Sequence, residues 1–122
     1  MSSLLDLSRA QADIVARAAA CTVRVDGRRG YAVSGTVYDD RHVLTLDHTT
    51  ERDDAIAVAL PGGRSATARV RGRDPRSDLA LLALDTALDV RARPAASPPA
   101  VGSLVCVVGR PDGEAEAVLG MV

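Results

Sequence analysis

The strongest constraint on the fold is a two-residue alternation of side chains that recurs in short segments along most of the chain. In the segment SATARVRGR, small apolar residues at even positions alternate with threonine and arginine at odd positions. Six segments bounded by turn-forming residues are predicted as strands: 20–25, 31–38, 42–46, 55–60, 65–73 and 78–84. Short strands at regular spacing are typical of a β-barrel or sandwich, and closure into a barrel removes free edges. The sequence therefore predicts an all-β fold with a six-stranded barrel over residues 20–84.

A helical pattern precedes the predicted barrel and occupies residues 1–19. Ser3 followed by Asp6 is a capping signal for a helix that begins at this point. Apolar residues recur at helical spacing and define one face: Leu4, Leu7, Ile14 and Ala18. We expect this amphipathic helix to pack on the outside of the barrel.

The segment after the predicted barrel loses the alternation and then regains it. Residues 85–101 contain Pro94, Pro98 and Pro99 and are predicted to form an extended linker. Residues 102–122 hold two further apolar runs, 103–109 and 116–122, joined by the turn RPDG. They are predicted to pair as a hairpin that does not belong to the first barrel.

The composition argues against nucleic acid as a partner. The sequence contains two tyrosines and neither phenylalanine nor tryptophan, so few side chains could stack on bases. The formal net charge is −1, whereas nucleic-acid-binding proteins usually carry a basic balance. An arginine stripe on the fifth predicted strand is interpreted as a solvated face: Arg69, Arg71, Arg73 and Arg76. A small oligonucleotide-binding barrel is therefore a disfavoured alternative.

Targeting and ligand signals are weak. No run approaches the roughly 18 apolar residues of a membrane span, and acids and arginines are spread through the first 20 residues, unlike a signal peptide. We therefore predict a cytoplasmic protein with no membrane contact. Cys21 and Cys106 are expected to be reduced, buried thiols. Neither cysteine nor histidine has a recognised ligand spacing, so we predict no metal site and no cofactor.

Two residues at predicted strand ends could carry acid–base chemistry. His48 follows the strand HVLTL, and Asp78 opens the strand DLALLAL, 30 residues later. A serine nucleophile needs a histidine base, an acid that orients the base, and backbone N–H groups for the oxyanion. The order His, Asp, Ser belongs to proteases built from two β-barrels. Taken singly, His48 is more typical of a polar surface loop, and Asp78 of a turn after Pro75.

Three blocks of sequence resemble the HtrA/Deg-like branch of the trypsin-like serine proteases. SGTVYDDRHVLTLDHTT is similar to the family's VLTNNHVV block and the strand before it. VALPGGRSATARVRGRDPRSDLALLALD is similar to its DPRTDLAVLKID block, and VGSLVCVVGRPDG to its VGDWVLAIGNPFG block. The resemblance implies that His48 is the general base and Asp78 its orienting acid. It also implies two barrels with the active site between them, of which this chain holds the N-terminal half: the first barrel and one hairpin of the second.

The sequence departs from the family pattern at several positions. The Gly-x-Ser-Gly-Gly motif of the second barrel is absent, and Ser97 and Ser103 lack glycine-rich flanks. Asp47 replaces a small or amide residue before the histidine, and a threonine pair follows it in place of apolar residues. His42 has no acidic partner at a telling spacing and is interpreted as a strand-edge residue. The 122-residue chain alone is therefore predicted to be inactive.

Two functions follow from these observations. The first is part of a serine endopeptidase that hydrolyses peptide bonds through a His–Asp–Ser triad whose serine lies outside this chain. The alternative is a non-catalytic half-protease that acts as a protein-binding or assembly module. The expected partners are protein or peptide substrates. Self-association through the exposed hairpin or the cleft face of the barrel is also expected, because bare apolar surface and open strand edges tend to find partners.

Overall fold

Six antiparallel strands form a closed barrel in the order β1-β2-β3-β6-β5-β4. The computed structural model describes residues 3–122. The barrel strands are β1 (Thr22–Arg28), β2 (Tyr31–Val37), β3 (His42–Leu46), β4 (Ile56–Ala59), β5 (Ser65–Asp74) and β6 (Leu79–Leu84). The predicted all-β fold with a six-stranded barrel is confirmed. Each barrel strand is hydrogen-bonded to two neighbours, so the barrel has no free edge.

Aliphatic side chains fill the barrel without any aromatic residue. The fully buried positions, all at 0% exposure, are Val23, Val25, Val37, Val43, Ile56, Val58, Ala80 and Leu82. Most of them are β-branched, and such side chains are stiff and pack well on a pleated surface. Their alternation along β1, β3 and β6 is the alternation visible in the sequence, because successive side chains of a strand point to opposite faces.

The helix α1 (Leu4–Ala19) begins with the capping box formed by Ser3 and Asp6. The Asp6 backbone amide donates to Ser3 Oγ at 3.3 Å, and the Ser3 amide donates to the Asp6 carboxylate at 3.2 Å. These bonds satisfy two of the free amides that every helix start leaves open. Met1 and Ser2, which the prediction placed in the same region, lie outside the described residues. No helix within residues 3–122 has both the length and the apolar character needed to cross a bilayer.

The helix does not pack through its predicted leucine face. Of the predicted face, Leu4 is 85% exposed and Ile14 is 47% exposed, whereas Ala18 is half-buried, as is Val15 beside it. The predicted face is therefore wrong for Leu4, Leu7 and Ile14, and only its last residue is half-buried. The short connection to β1 sets the rotation of the helix, since Thr22 Oγ1 donates to the Ala18 carbonyl at 2.7 Å and so ties the last turn to the strand.

The residues after β6 run along the barrel surface. The Leu88 amide donates to the Asp40 carbonyl at 2.6 Å, and the Ala92 amide donates to the Val37 carbonyl at 2.8 Å. The Leu88 side chain is 8% exposed and belongs to the barrel core. The proline-rich composition gave no sign of this core residue, because its burial depends on contacts with β2 and the turn after it.

A separate two-stranded sheet follows, formed by β7 (Leu104–Gly109) and β8 (Glu116–Met121). Its side chains are exposed to an unusual degree: Leu104 54%, Val107 66%, Val118 67%, Leu119 54% and Met121 68%. Apolar side chains on both faces of the hairpin therefore remain in contact with solvent.

Arg110 anchors this hairpin to the rest of the molecule. Its side chain is nearly buried and donates to three backbone carbonyls: Nε to Thr22 at 2.9 Å, Nη1 to Gly113 at 3.0 Å and Nη2 to Ala19 at 3.0 Å. Its backbone amide donates to Ser34 Oγ at 2.7 Å. One guanidinium thus joins the hairpin turn, the end of α1 and the start of β1, which suits the fixed fork of donors on arginine.

Replacing Arg110 with methionine should loosen the hairpin, because three carbonyls lose their charged donor while a long side chain is kept. We expect a local destabilisation of about 2–4 kcal/mol from the loss of bonds to a charged group. Native-state hydrogen exchange measures it: amides of β7 and β8 should exchange faster, while those of β3 and β6 keep their protection. Arg69→Met, at an exposed position of β5, is the matched control. Unchanged exchange in β7 and β8 would show that Arg110 is not the anchor.

Candidate active site

The pairing of β3 with β6 brings the two candidate catalytic residues to the same end of the barrel. The ladder runs from His42 opposite Ala83 to Leu46 opposite Leu79. His48 follows the end of β3, and Asp78 immediately precedes the start of β6. A further backbone bond, from the Asp47 amide to the Asp78 carbonyl at 3.1 Å, extends the pairing by one step.

His48 and Asp78 contact each other through both oxygens of the carboxylate. Asp78 Oδ1 accepts from the His48 backbone amide at 2.8 Å, and Oδ2 lies 2.5 Å from the ring Nδ1. The two bonds orient the carboxylate and the ring together. The Asp78 side chain is 40% exposed and the His48 side chain is 64% exposed, so the pair lies at the surface of the barrel end rather than in its core.

The backbone of Asp78 is the local feature that aims its side chain. Its φ of 58° lies in the left-handed region, which aspartate tolerates better than most residues. The strand begins only at Leu79, so the expectation that Asp78 opens the strand is wrong. A turn holds this conformation, since the Asp78 amide donates to the Pro75 carbonyl at 3.3 Å. A residue in extended conformation would direct its side chain along the pleat of the sheet instead.

The electrostatics of the pair favour an ionised Asp78. The His48 backbone amide, followed by the His48 ring, holds the pKa of the Asp78 carboxyl below its ordinary value of 3.8. An ionised carboxylate can only accept hydrogen bonds, so Nδ1 of the ring carries the proton that is shared with it. In the neutral form of the ring, the other nitrogen, Nε2, has a free electron pair and can act as a base.

The segment that carries His48 is built on buried polar contacts. Thr49 and Thr50 are each 2% exposed, and both hydroxyls donate to the Leu46 carbonyl, at 3.2 and 2.7 Å. The threonine pair, which departs from the family's apolar residues, is therefore fully compatible with burial, because each hydroxyl has an acceptor.

Gly27 supports the same segment, although it lies just beyond the predicted strand 20–25 and the sequence pattern does not mark it. It lies within β1, at an irregularity between Val25 and Arg28. A Cβ at this position would lie 3.1 Å from the Cα of Thr50, so only glycine allows the approach without a shift. The Gly27 carbonyl accepts from the Glu51 amide at 2.9 Å. No short-range pattern distinguishes this glycine from Gly30, which does occupy the turn with a φ of 72°.

A second histidine–aspartate pair lies at the other end of β3. His42 Nδ1 is 2.8 and 3.0 Å from the two carboxylate oxygens of Asp39. The expectation that His42 has no acidic partner is therefore wrong; the turn DDRH places an acid three residues before it. The Arg41 backbone amide, followed by His42, lowers the pKa of Asp39. This pair resembles the first in chemistry but lies away from it, which makes it a useful internal control.

The remaining candidate residues do not join the site. Within the described part of the chain, no serine hydroxyl is hydrogen-bonded to His48; Ser77 Oγ bonds to Asp74 at 2.9 Å instead. Cys21 and Cys106 are free thiols, and both are half-buried rather than buried. Across residues 3–122, no three His, Cys, Asp or Glu side chains are grouped as ligands for a metal ion.

Comparisons with known proteins identify the family of the barrel. A family model described as a trypsin-like peptidase domain matches residues 33–121. The chain belongs to this family. The periplasmic serine endoprotease DegP of Salmonella typhimurium is 35% identical over 89 residues, which cover 70% of this chain and 19% of that protein. DegP of Escherichia coli is 34% identical over 82 residues, covering 66% and 17%.

The structural comparison extends the similarity to most of the chain. The crystal structure of the serine endoprotease from Yersinia pestis superposes with a TM-score of 0.76 at 28% identity, covering 88% of this chain and 42% of that one. Together with the DegP relatives, this places the trypsin-like domain in the HtrA/Deg branch. The chain spans about a fifth of the length of the DegP relatives that it matches.

These relatives correct the predicted location. The Salmonella and Escherichia coli proteins are named as periplasmic, so the prediction of a cytoplasmic protein is wrong and the relatives point outside the cytoplasm. The cytoplasmic prediction depended on the first 20 residues, which do not resemble a signal peptide. Those residues alone do not show where the related proteins are located.

Asp78 should titrate below its ordinary pKa of 3.8, because two hydrogen bonds favour its ionised form. The folded state then binds this proton less readily than the unfolded state, so the stabilisation is present at neutral pH. It is lost as the pH falls below 3.8 through the folded-state pKa. A carbon-13 NMR titration of the side-chain carboxyl measures this pKa.

His48→Ala provides the matched comparison for this titration. It removes the ring but keeps the backbone amide, which is the larger cause of the shift, so the pKa of Asp78 should rise only part of the way to 3.8. The pKa of Asp39, which depends on Arg41 and His42, should not move. An Asp78 carboxyl that titrates at 3.8 in the unsubstituted chain would contradict the described geometry.

Proposed function

We propose that this chain supplies the general base and the orienting acid of a serine endopeptidase. The observation that carries the proposal is the contact between Asp78 and His48, in which both carboxylate oxygens are engaged, one by the ring Nδ1 at 2.5 Å. This is the arrangement that a histidine base requires, because it sets the tautomer and leaves Nε2 available to a hydroxyl.

His48 would act first as a base and then as an acid. Nε2 accepts the proton of a serine hydroxyl while the serine oxygen bonds to the carbonyl carbon of the peptide, and the imidazolium then returns the proton to the leaving amine. Asp78 stays ionised throughout and stabilises the imidazolium by its charge. Water hydrolyses the acyl-enzyme in a second step that uses the same base.

The serine and the oxyanion-binding amides are proposed to come from residues outside this chain. Ser97 and Ser103, the serines that follow Asp78, lack glycine-rich flanks suited to an oxyanion hole. The chain covers 42% of the Yersinia pestis protease, which leaves room for a second catalytic part. The 122-residue chain by itself is therefore proposed to bind no substrate productively and to hydrolyse nothing.

The substrate class follows from the family. Trypsin-like domains act on peptide bonds, and the DegP relatives are named as endoproteases. We infer that the complete protein cleaves proteins or peptides within the chain. We also infer an extracytoplasmic location, because the relatives with 34–35% identity are named as periplasmic.

A serine-directed fluorophosphonate should label a polypeptide that extends through the proposed serine, and should not label the 122-residue chain. His48→Ala in the longer protein should abolish labelling, since the serine loses its base. Asp78→Asn should lower the labelling rate by roughly 10⁴, the size of the effect when the orienting acid of a triad is neutralised. Gel-based labelling over time measures both rates.

His42→Ala is the control for these substitutions. It removes a histidine with the same type of carboxylate partner at the other end of β3, so labelling should continue at the original rate. Labelling that survives His48→Ala would contradict the proposed base. A reading frame that ends near residue 122 without a serine motif would favour the non-catalytic binding module instead.

The isolated chain should also self-associate through β7 and β8, because their apolar side chains are bare and their outer strand edges are unpaired. Val118→Lys, on the outer strand at a side chain that is 67% exposed, should shift the chain towards monomer. Val101→Lys, at a 92% exposed position outside the hairpin, is the matched control and should not. Sedimentation equilibrium distinguishes the cases, and a monomer at high concentration would contradict the expectation.

A further inference from the structure

Arg73 is separated from the arginine stripe of its strand by a β-bulge. In strict alternation it would share the solvent face of β5 with Arg69 and Arg71, and the stripe was interpreted in that way. The register of β5 against β6 instead shifts between Val70 and Gly72. Arg73 therefore stands opposite Ala80, which is fully buried.

The shift changes the direction of the Arg73 side chain. Residues directly opposite each other in an antiparallel pair share a face, so Arg73 lies on the inner face at the end of the barrel. The extra residue in the bulge is Arg71. Bulges next to active sites commonly re-aim a side chain in this way. The Arg73 side chain keeps 29% exposure and is still partly solvated, but it leaves the face that Arg69 and Arg71 share.

The guanidinium of Arg73 binds the segment that carries His48. Nη1 donates to the Asp47 carboxylate at 2.8 Å and to the Thr50 carbonyl at 2.7 Å. Nη2 donates to the Arg52 carbonyl at 3.2 Å and to the Asp53 carboxylate at 3.1 Å. The four acceptors lie on both sides of the histidine and beyond it, so one planar group spans the whole segment.

The contact with Asp47 is made to the residue next to His48 in the sequence. The Asp47 side chain is only 16% exposed, and Arg73 is its partner. The hydrogen bond with the Asp47 carboxylate raises the pKa of Arg73 above its ordinary value. Burial lowers this pKa, the Asp53 carboxylate raises it further, and the net change is a rise. Charge-assisted bonds of this kind are shorter and stronger than neutral ones. Asp47, which departs from the family pattern, thus has Arg73 as its partner in this chain.

We propose that Arg73 is a positioning residue that holds the His48 segment against Asp78. Gly27 supports this segment from the β1 side through bonds from the Glu51 and Arg52 amides to its carbonyl, and Arg73 supports it from the β5 side. A contribution of Arg73 to catalysis rests on the proposed function of His48. A contribution of Arg73 to the position of the His48 ring does not. The two can therefore be tested separately.

The geometric test uses the full 122-residue chain and two NMR signals, the low-field His48 Nδ1 proton and the Asp78 carboxyl. Arg73→Ala should remove the proton signal through faster exchange with water, and should move the pKa of Asp78 upward towards 3.8, while the β3 and β6 amides keep their protection. Arg73→Lys should restore the signal only in part, because an ammonium cannot span the same acceptors. Asp47→Asn, which keeps an oxygen acceptor, should retain more of the signal than Arg73→Ala.

Arg71→Ala is the matched control, because it removes the neighbouring arginine of the same bulge and should leave both signals unchanged. Two results would overturn the proposal: an unchanged proton signal and titration in Arg73→Ala, or a simultaneous loss of amide protection in β3 and β6. The second result would show that Arg73 supports the barrel as a whole.

The catalytic test uses the longer protein. Arg73→Ala should lower the rate of fluorophosphonate labelling by about 10–100-fold, as a displacement of about 1 Å in a catalytic group does, and Arg71→Ala should not change it. If both NMR signals respond as expected but the unsubstituted longer protein is never labelled, the positioning role stands and the proposed protease function fails.

Discussion

The ladder between β3 and β6 is the interaction on which the rest of the site depends. Its five residue pairs align two strands that are far apart in the sequence, and its end at Leu46 and Leu79 leaves the following and preceding residues side by side. A slip of one residue would turn every side chain of a strand to the other face. Burial of Val43, Ala80 and Leu82 at 0% exposure opposes such a slip, so the barrel core indirectly sets the contact between His48 and Asp78.

Several weak local features then convert proximity into a defined geometry. The left-handed backbone of Asp78 turns its carboxylate towards the ring, the missing side chain of Gly27 admits the loop, and the Arg73 guanidinium ties the loop to β5. None of these features lies in the barrel core, and all act on a pair that is substantially exposed. Exposure would suit the proposed role of His48 as a base for a hydroxyl supplied from elsewhere, and the fixed surroundings limit the ways in which the ring can rotate.

The hairpin belongs to the region that the family model matches, but it is attached to the barrel in a different way from the barrel strands. The matched region reaches residue 121, into β8, yet the hairpin shares no ladder with the barrel strands. Arg110 joins the two by bonds to carbonyls of α1, β1 and its own turn. Such bonds resist displacement but cover little apolar surface, which is why the side chains of β7 and β8 remain exposed.

The sequence by itself determined the elements that depend on short-range periodicity: the helix start at Ser3, the six barrel strands, and the two segments that hold His48 and Asp78. It also carried the family resemblance, because those segments keep the family's spacing. Tertiary structure alone decided the bulge that redirects Arg73, the left-handed turn at Asp78, the close approach at Gly27 and the burial of Leu88. Alternation and helical spacing report which face of an element is apolar, and they extend over a few residues. Register shifts, close approaches and long-range hydrogen bonds depend on a neighbouring element whose position no local pattern records.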